Sequence, residues 1–211
     1  MIATLSLHFE DLLAAFSDKT DGNIAYHVGD KKENVDLNHT RLAQKFNYPL
    51  ERLVFMDQIH SDTIYIVDES HPFGTIPTCD ALITQIKNTP IMVMVADCTP
   101  ILLYDPIQKA IGVIHAGRKG AFLNIVEKTI TKMQEEFGTN PHTLHIEIGS
   151  SIGPCCYEVG DEIVNEVKER DLEYALVVDG THSYLDILAI IQKQLKKSNI
   201  QSTQIYSQAS C

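Results

Sequence analysis

The sequence has no block of clustered Lys or Arg, and its 17 Lys+Arg are outnumbered by 28 Asp+Glu, for a net charge of −11. It therefore lacks the electrostatic footprint that phosphate-backbone binding requires, and no nucleic-acid partner is expected. Long apolar runs are missing too. The most apolar stretch, 90–96, falls far short of the roughly 20 residues of a membrane-spanning helix, so no membrane span is expected. Residues 1–16 carry no basic segment, and Glu10 and Asp11 arrive before any small-residue cleavage site, which predicts a cytoplasmic protein without a signal peptide. No C-x-x-C occurs among the five cysteines, whose odd number and adjacent pair argue for reduced thiols over a disulfide framework. The P-loop and G-x-G-x-x-G patterns are absent, so the standard nucleotide-fold phosphate cradles are not expected. Nine histidines include no H-x-H, which starves a multi-copper cluster of close imidazoles and disfavours copper oxidase chemistry.

What is present is ordinary globular composition: 211 residues, 44% hydrophobic and 21% charged, enough to bury a core. No repeat, Pro-rich linker or low-complexity tract divides the chain, so a single domain over 1–211 is expected. β-Branched and aromatic runs bounded by turn residues predict strands at 2–9, 23–27, 53–56, 63–67, 81–84, 91–96, 101–104, 110–115 and 144–149. The run 91–96 is apolar throughout and reads as a central strand covered on both faces, whereas 63–67, flanked by Asp62 and Asp68, reads as nearer an edge. Apolar residues recur at three- and four-residue steps over 121–137, with Gly138 as the stop, and predict one long helix. A second begins at a cap formed by Ser183 and Asp186 and ends near Lys196 and Lys197; 36–46 and 161–170 are shorter candidates. Strands and helices that do not strictly alternate predict an α+β (mixed α/β) fold with mixed sheets flanked by helices.

Three segments end a strand-like run with a residue able to bind metal: His60, Cys98 and His115. Two imidazoles and a thiolate form a borderline-soft set suited to zinc, and three protein ligands leave the fourth tetrahedral position open. Their spacing matches no local metal motif; taken singly, each reads more readily as a packed or surface imidazole or a small buried thiol. After His115, Ala116-Gly117-Arg118-Lys119-Gly120 leads into the long helix, so Arg118 and Lys119 either hold an anion at a helix start or point into solvent. A second glycine loop, 149–158, contains Cys155 and Cys156, whose side chains in an extended segment would point oppositely, one toward the core. His142 and His145 share no helical face and receive no role.

Gln58-Ile59-His60-Ser61, the segments Asp80 to Thr84 and Ala96 to Leu103, His115-Ala116-Gly117, and Ile152 to Gly160 together resemble the YfiH family, with further likeness at Gly22-Asn23 and from Asn38 to Arg41. That family, long labelled polyphenol oxidase or laccase, is understood as purine nucleoside phosphorylases with adenosine deaminase and methylthioadenosine phosphorylase activities. The resemblance implies zinc ligands at His60, Cys98 and His115, and purine nucleosides and phosphate as partners. Two departures stand out. Arg118 and Lys119 occupy positions where the family usually has Trp and Arg, and Lys cannot make Arg's bidentate fork to phosphate. Relatives also continue past the cysteine matching Cys211 into an aromatic, Arg-containing tail.

On this resemblance, Lys119, Arg41 and Asn23 are the candidates for binding phosphate or substrate, and Asp97, beside Cys98, is the candidate proton carrier for deamination. Two alternatives use the same residues. In one, Cys98 is a hydrolase or deamidase nucleophile with His115 as its base; in the other, a zinc-binding interaction module has no catalytic role. No residue pattern sets the oligomeric state.

Overall fold

The computed structural model describes residues 9–207. The elements in chain order are α1 (Lys32–Phe46), β1 (Val54–Phe55), β2 (Ile64–Ile66), β3 (Ala81–Thr84), β4 (Ile91–Met92), β5 (Thr99–Asp105), β6 (Ala110–Ala116), α2 (Arg118–Phe122) and α3 (Ile125–Phe137). They continue with β7 (His145–Ile148), β8 (Glu158–Val159), α4 (Asp161–Glu169), β9 (Leu176–Asp179), β10 (His182–Leu185), α5 (Ile187–Lys197) and β11 (Ile205–Ser207). Six strands form a mixed sheet in the order β11-β7-β5-β6-β3-β2; β8-β10-β9 form a second sheet and β1-β4 a small parallel pair. The architecture is α+β with mixed sheets, and no helix among the described residues is long and apolar enough to cross a membrane.

The β5–β6 hairpin is the centre of the large sheet, and its side chains alternate between two cores as a period of two requires. Ile101, Leu103, Ile114 and Ala116 face one core, which α2, α3 and α5 cover. Val113 and Leu102 face the other, joined by Leu82 of β3 and covered by Val54, Met56 and Ile91 from the β1/β4 region. β2 lies at the sheet edge, as its acidic flanks suggest. The predicted strand 2–9 lies essentially outside the described residues, as do Cys211 and the first half of the segment read for a signal peptide.

Four secondary-structure expectations change. The long helix predicted over 121–137 is two helices, because Asn124 adopts a left-handed conformation (φ 63°) between them, one that Asn tolerates better than most residues. Buried Gln194 of α5 bridges the break: its Nε2 donates to the Ala121 carbonyl at 2.7 Å and its Oε1 accepts from Val126 N at 3.2 Å. Ser183 lies in β10, paired with Val159 and Val178; the cap of α5 is Asp186 alone, whose Oδ1 accepts from Ala189 N at 2.9 Å. Segment 23–27 is irregular, its backbone held by the Asn23 side chain, which accepts from Ala25 N and donates to Ala25 O.

The fourth change bears on the site. The apolar run 91–96 is not a central strand: only Ile91–Met92 pair, with β1, and Val93 onward leaves the sheet half-exposed. The Gln58 side-chain amide replaces the missing ladder, donating to Met94 O at 2.7 Å and accepting from Met94 N at 2.9 Å. Those two bonds tie the segment leading to Asp97 and Cys98 to the loop that ends in His60.

Candidate metal centre

His115 is the penultimate residue of β6 and opposes Pro100 of β5, so the hairpin fixes its backbone. By alternation its side chain leaves the sheet on the same face as Val113, away from the α2/α3 core. Cys98 immediately precedes β5, and His60 lies in the loop before β2. The structure brings the three together: one donor atom from each lies within 4.8 Å of the others. Cys98 Sγ is 3.8 Å from His60 Nε2, and the two imidazole rings meet edge to face with centroids 4.7 Å apart. His115 is buried, Cys98 half-buried and His60 exposed, so the cluster opens to solvent on one side.

Asp80, fully buried just before β3, organises this arrangement. Its Oδ1 contacts His115 Nδ1 at 2.8 Å and accepts from His60 N at 2.9 Å; its Oδ2 accepts from Ser61 N at 2.6 Å and Ser61 Oγ at 2.7 Å. With Nδ1–H donated to a carboxylate, Nε2 is the His115 atom left to bind a metal ion once its own proton is displaced, the relation a metal-bound imidazole generally has. The bonds to His60 N and Ser61 hold His60 in a left-handed conformation (φ 58°) that a bulky residue adopts only under constraint. One carboxylate thus fixes both imidazoles. The sequence reading quoted Asp80 only as part of a family segment; its partners are distant in the chain, and no local pattern marks it.

The electrostatics push the two imidazoles in opposite directions. Burial, the adjacent His115 and the cation of Lys119 outweigh the attraction of Asp80 and hold His60 below the usual imidazole range, which leaves it neutral near pH 7. Burial alone would lower His115 as well, but the hydrogen bond and charge of Asp80, with Cys98 adding in the same sense, raise it to about 9. Asp80, despite burial, is held below the ordinary carboxylate range by His115 and Ser61. Without a cation in the cluster, His115 itself therefore carries the positive charge.

Gly117 packs directly against two of the donors and gives them clearance that a side chain would take. A Cβ on Gly117 would stand 2.9 Å from His60 Cδ2 and 3.0 Å from Cys98 Sγ, so a glycine there is a steric requirement, its backbone being ordinary (φ −76°). Donor types, separation, a carboxylate behind one imidazole and this clearance all fit a metal ion, and among the described residues no other such group occurs. A cleft of about 180 Å³ opens beside it, lined by Asp97, Cys98, Gly117, Arg118, Ile152 and Tyr157 among others. A larger groove of about 270 Å³ runs along α3 toward Lys197, but it is lined by paired charges such as Glu127 and Lys128 and holds no metal-binding set.

The remaining candidates take varied positions. Asp97 is exposed on the cleft, its carbonyl accepting from Ile152 N at 2.9 Å. Lys119 is exposed in α2, close enough to lower the His60 basicity. Arg118 does not simply point into solvent: it is half-buried, ion-paired to Glu166 and set over the Phe122 ring. Arg41 is exposed on α1, and Asn23 spends its side chain on its own loop; among the described residues neither is bonded to the cluster. Cys155 and Cys156 depart from the expectation of opposed side chains. Both are exposed, in a turn, with sulfurs 3.3 Å apart.

Residues 15–211 match the family model described as multi-copper polyphenol oxidoreductase laccase. A crystal structure of the hypothetical protein YfiH of Bacillus licheniformis superposes with a TM-score of 0.83 at 28% identity, covering 90% of this chain and 75% of that one. The chain belongs to the YfiH family. Other YfiH-family relatives carry a different functional name: a purine nucleoside phosphorylase of Corynebacterium glutamicum is 36% identical over 181 residues, covering 85% of this chain and 73% of the relative. The purine nucleoside phosphorylase YlmD of Bacillus subtilis is 29% identical over 221 residues, covering 96% and 80%. YlmD of Geobacillus stearothermophilus, solved as a crystal structure, superposes with a TM-score of 0.78 at 29% identity, covering 88% of this chain and 73% of that one.

Proposed function

We propose that this YfiH-family chain is a zinc-dependent purine nucleoside phosphorylase, converting inosine, adenosine or methylthioadenosine and phosphate to free base and sugar 1-phosphate, with adenosine deaminase activity at the same centre. The convergence of His60, Cys98 and His115 beside an open cleft carries this reading. The names of the relatives supply the substrate class. Two imidazoles and a thiolate suit zinc, and a single three-donor cluster among the described residues is a poor basis for multi-copper chemistry.

When bound, zinc supplies Lewis-acid polarisation of a substrate oxygen or nitrogen and an acidified water. The protein's own share is positional. Asp80 locks the orientation of His115 and the loop carrying His60, so the donors need no rearrangement when substrate arrives. Lys119, exposed beside the cluster, offers a point charge to phosphate; Arg41 and Asn23, neither of them bonded to the cluster, stay as candidate phosphate and substrate contacts. Asp97 faces the same cleft as Cys98 and is the carboxylate available to move a proton to the purine ring or leaving amine. The cleft is smaller than the ~300 Å³ lower bound of typical ligand pockets, which suits one portion of a nucleoside with the rest extending outward.

Chromatography of inosine and adenosine reactions, with and without phosphate, tests the proposal on the native chain and Cys98→Ala. Phosphate-dependent release of hypoxanthine or adenine by the native chain, lost in the variant, is expected. Equal release by both proteins would reject the site.

A further inference from the structure

The turn that walls the cleft contains a second sulfur group that phosphorolysis does not use. Cys155 and Cys156 are both exposed, and their Sγ atoms approach to 3.3 Å, closer than adjacent side chains in an extended strand come. The backbone explains the approach: Cys156 N and Tyr157 N both donate to Gly153 O at 3.0 Å, folding 153–157 into a tight turn that puts consecutive side chains on one side. Ile152, just before this turn, and Tyr157, its last residue, line the cleft with Cys98.

We propose that Cys155 and Cys156 form a dithiol that small disulfides such as oxidised glutathione convert reversibly to a vicinal disulfide, and that closing this ring remodels the cleft wall. The thiolate of one cysteine attacks a sulfur of glutathione disulfide, forming a mixed disulfide and releasing one glutathione thiolate. The neighbouring sulfur, already in contact, attacks the protein-side sulfur and expels the second glutathione. The pair gives up two electrons and two protons, and glutathione disulfide takes up the electrons and leaves as two thiols. The second step is intramolecular between groups in place, so it outruns further bimolecular exchange.

Reversibility follows from covalent geometry. Adjacent Cα atoms sit about 3.8 Å apart, below the ~4.4–6.8 Å that ordinary disulfides span, and strained, exposed disulfides are the reducible ones. The ring can close only if the backbone of the turn shifts, which loads the paired bonds to Gly153 O and moves Tyr157. The other described thiols do not compete equally. Cys79 is fully buried and burial pushes its thiol up to about 12, and Cys98 belongs to the metal cluster.

The test exposes the metal-loaded 211-residue chain to oxidised glutathione, caps remaining thiols with iodoacetamide and maps the products by mass spectrometry, alongside Cys155→Ser, Cys156→Ser and Cys211→Ser. The native chain and Cys211→Ser are expected to lose two hydrogens within one peptide linking residues 155 and 156, with full recovery after dithiothreitol. Each of the other two variants should retain a stable glutathione adduct on its remaining cysteine. A native chain that accumulates the same stable adduct, or a linkage to Cys98 or Cys211, would overturn the dithiol. Amide hydrogen exchange gives the second readout: faster exchange at Cys156 and Tyr157 after oxidation is expected, and unchanged exchange there would overturn the remodelling.

Discussion

Replacing Asp80 by Ala removes the acceptor for His115 Nδ1, His60 N, Ser61 N and Ser61 Oγ in one step. Asp80 has no exposed surface and His115 is 3% exposed, so water does not readily replace what is lost. Removing one partner of a buried ion pair destabilises by about 3–5 kcal/mol, and an orphaned buried donor costs about 1–3 kcal/mol. Because these terms overlap, the metal-free variant is expected to lose about 4 kcal/mol in urea unfolding. The second effect is on metal affinity. With His115 free to rotate and the left-handed conformation of His60 unsupported, chelator competition should show zinc bound ~10- to 100-fold more weakly, the usual consequence of deleting a carboxylate behind a ligating imidazole. Asp80→Asn separates the contributions: it keeps an acceptor for His115 but turns a donor toward Ser61 N, so its affinity should lie between the two. Zinc affinity in Asp80→Ala within about twofold of native would refute the claim that this carboxylate preorganises the donors, whatever happened to stability.

Gly117→Ala should leave the fold intact and weaken metal binding by at least about tenfold, since the added methyl meets His60 and Cys98; calorimetric zinc titration with a parallel melting curve checks both halves. The metal-free protein should be stabilised through His115 at low pH. Its basicity is raised from 6.5 to about 9, so the contribution is fully present below 6.5 and lost as pH climbs through 9. Urea unfolding of the chelator-treated chain between pH 6 and pH 10 should fall by about 3 kcal/mol more than that of His115→Gln, and parallel curves for the two proteins would contradict this. Iodoacetamide should label Cys98 slowly in the zinc-loaded chain and readily after chelation, as a coordinated thiolate is occupied; fast labelling that ignores the chelator would instead support Cys98 as a free nucleophile.

Much of the sheet was legible in the sequence because its signals are local. Residues 81–84 and 110–115 read as strands from β-branched density and turn boundaries, and the structure keeps them as β3 and most of β6. Failures arose where a distant side chain substitutes for a regular backbone pattern. Gln194 supports a helix break at Asn124 that periodicity cannot see, and Gln58 holds Met94 as a strand partner would, so the most apolar run in the chain is not a sheet centre. Asp186 displaced Ser183 as a cap because 182–185 pairs into a sheet whose partner strands are too short and exposed to announce themselves. At the site, ligand chemistry at the ends of strand-like runs picks out His60, Cys98 and His115 as candidates, and the family resemblance is what implies them as a set. Asp80 and Gly117 act through position, one by reaching back across the chain and one by having no side chain, and neither property is written in residue type.

The central claim is that the donors of His60, Cys98 and His115 form one metal site on which nucleoside cleavage depends. Its most direct measurement is reconstitution: the full chain is stripped by chelator, zinc is returned in substoichiometric steps, and bound metal and phosphate-dependent base release are followed together. Activity should rise in proportion to metal and level off at one ion per chain, with Cys98→Ala taking up little zinc and staying inactive. Full base release by the stripped chain, or zinc uptake that leaves activity at zero, would contradict the account.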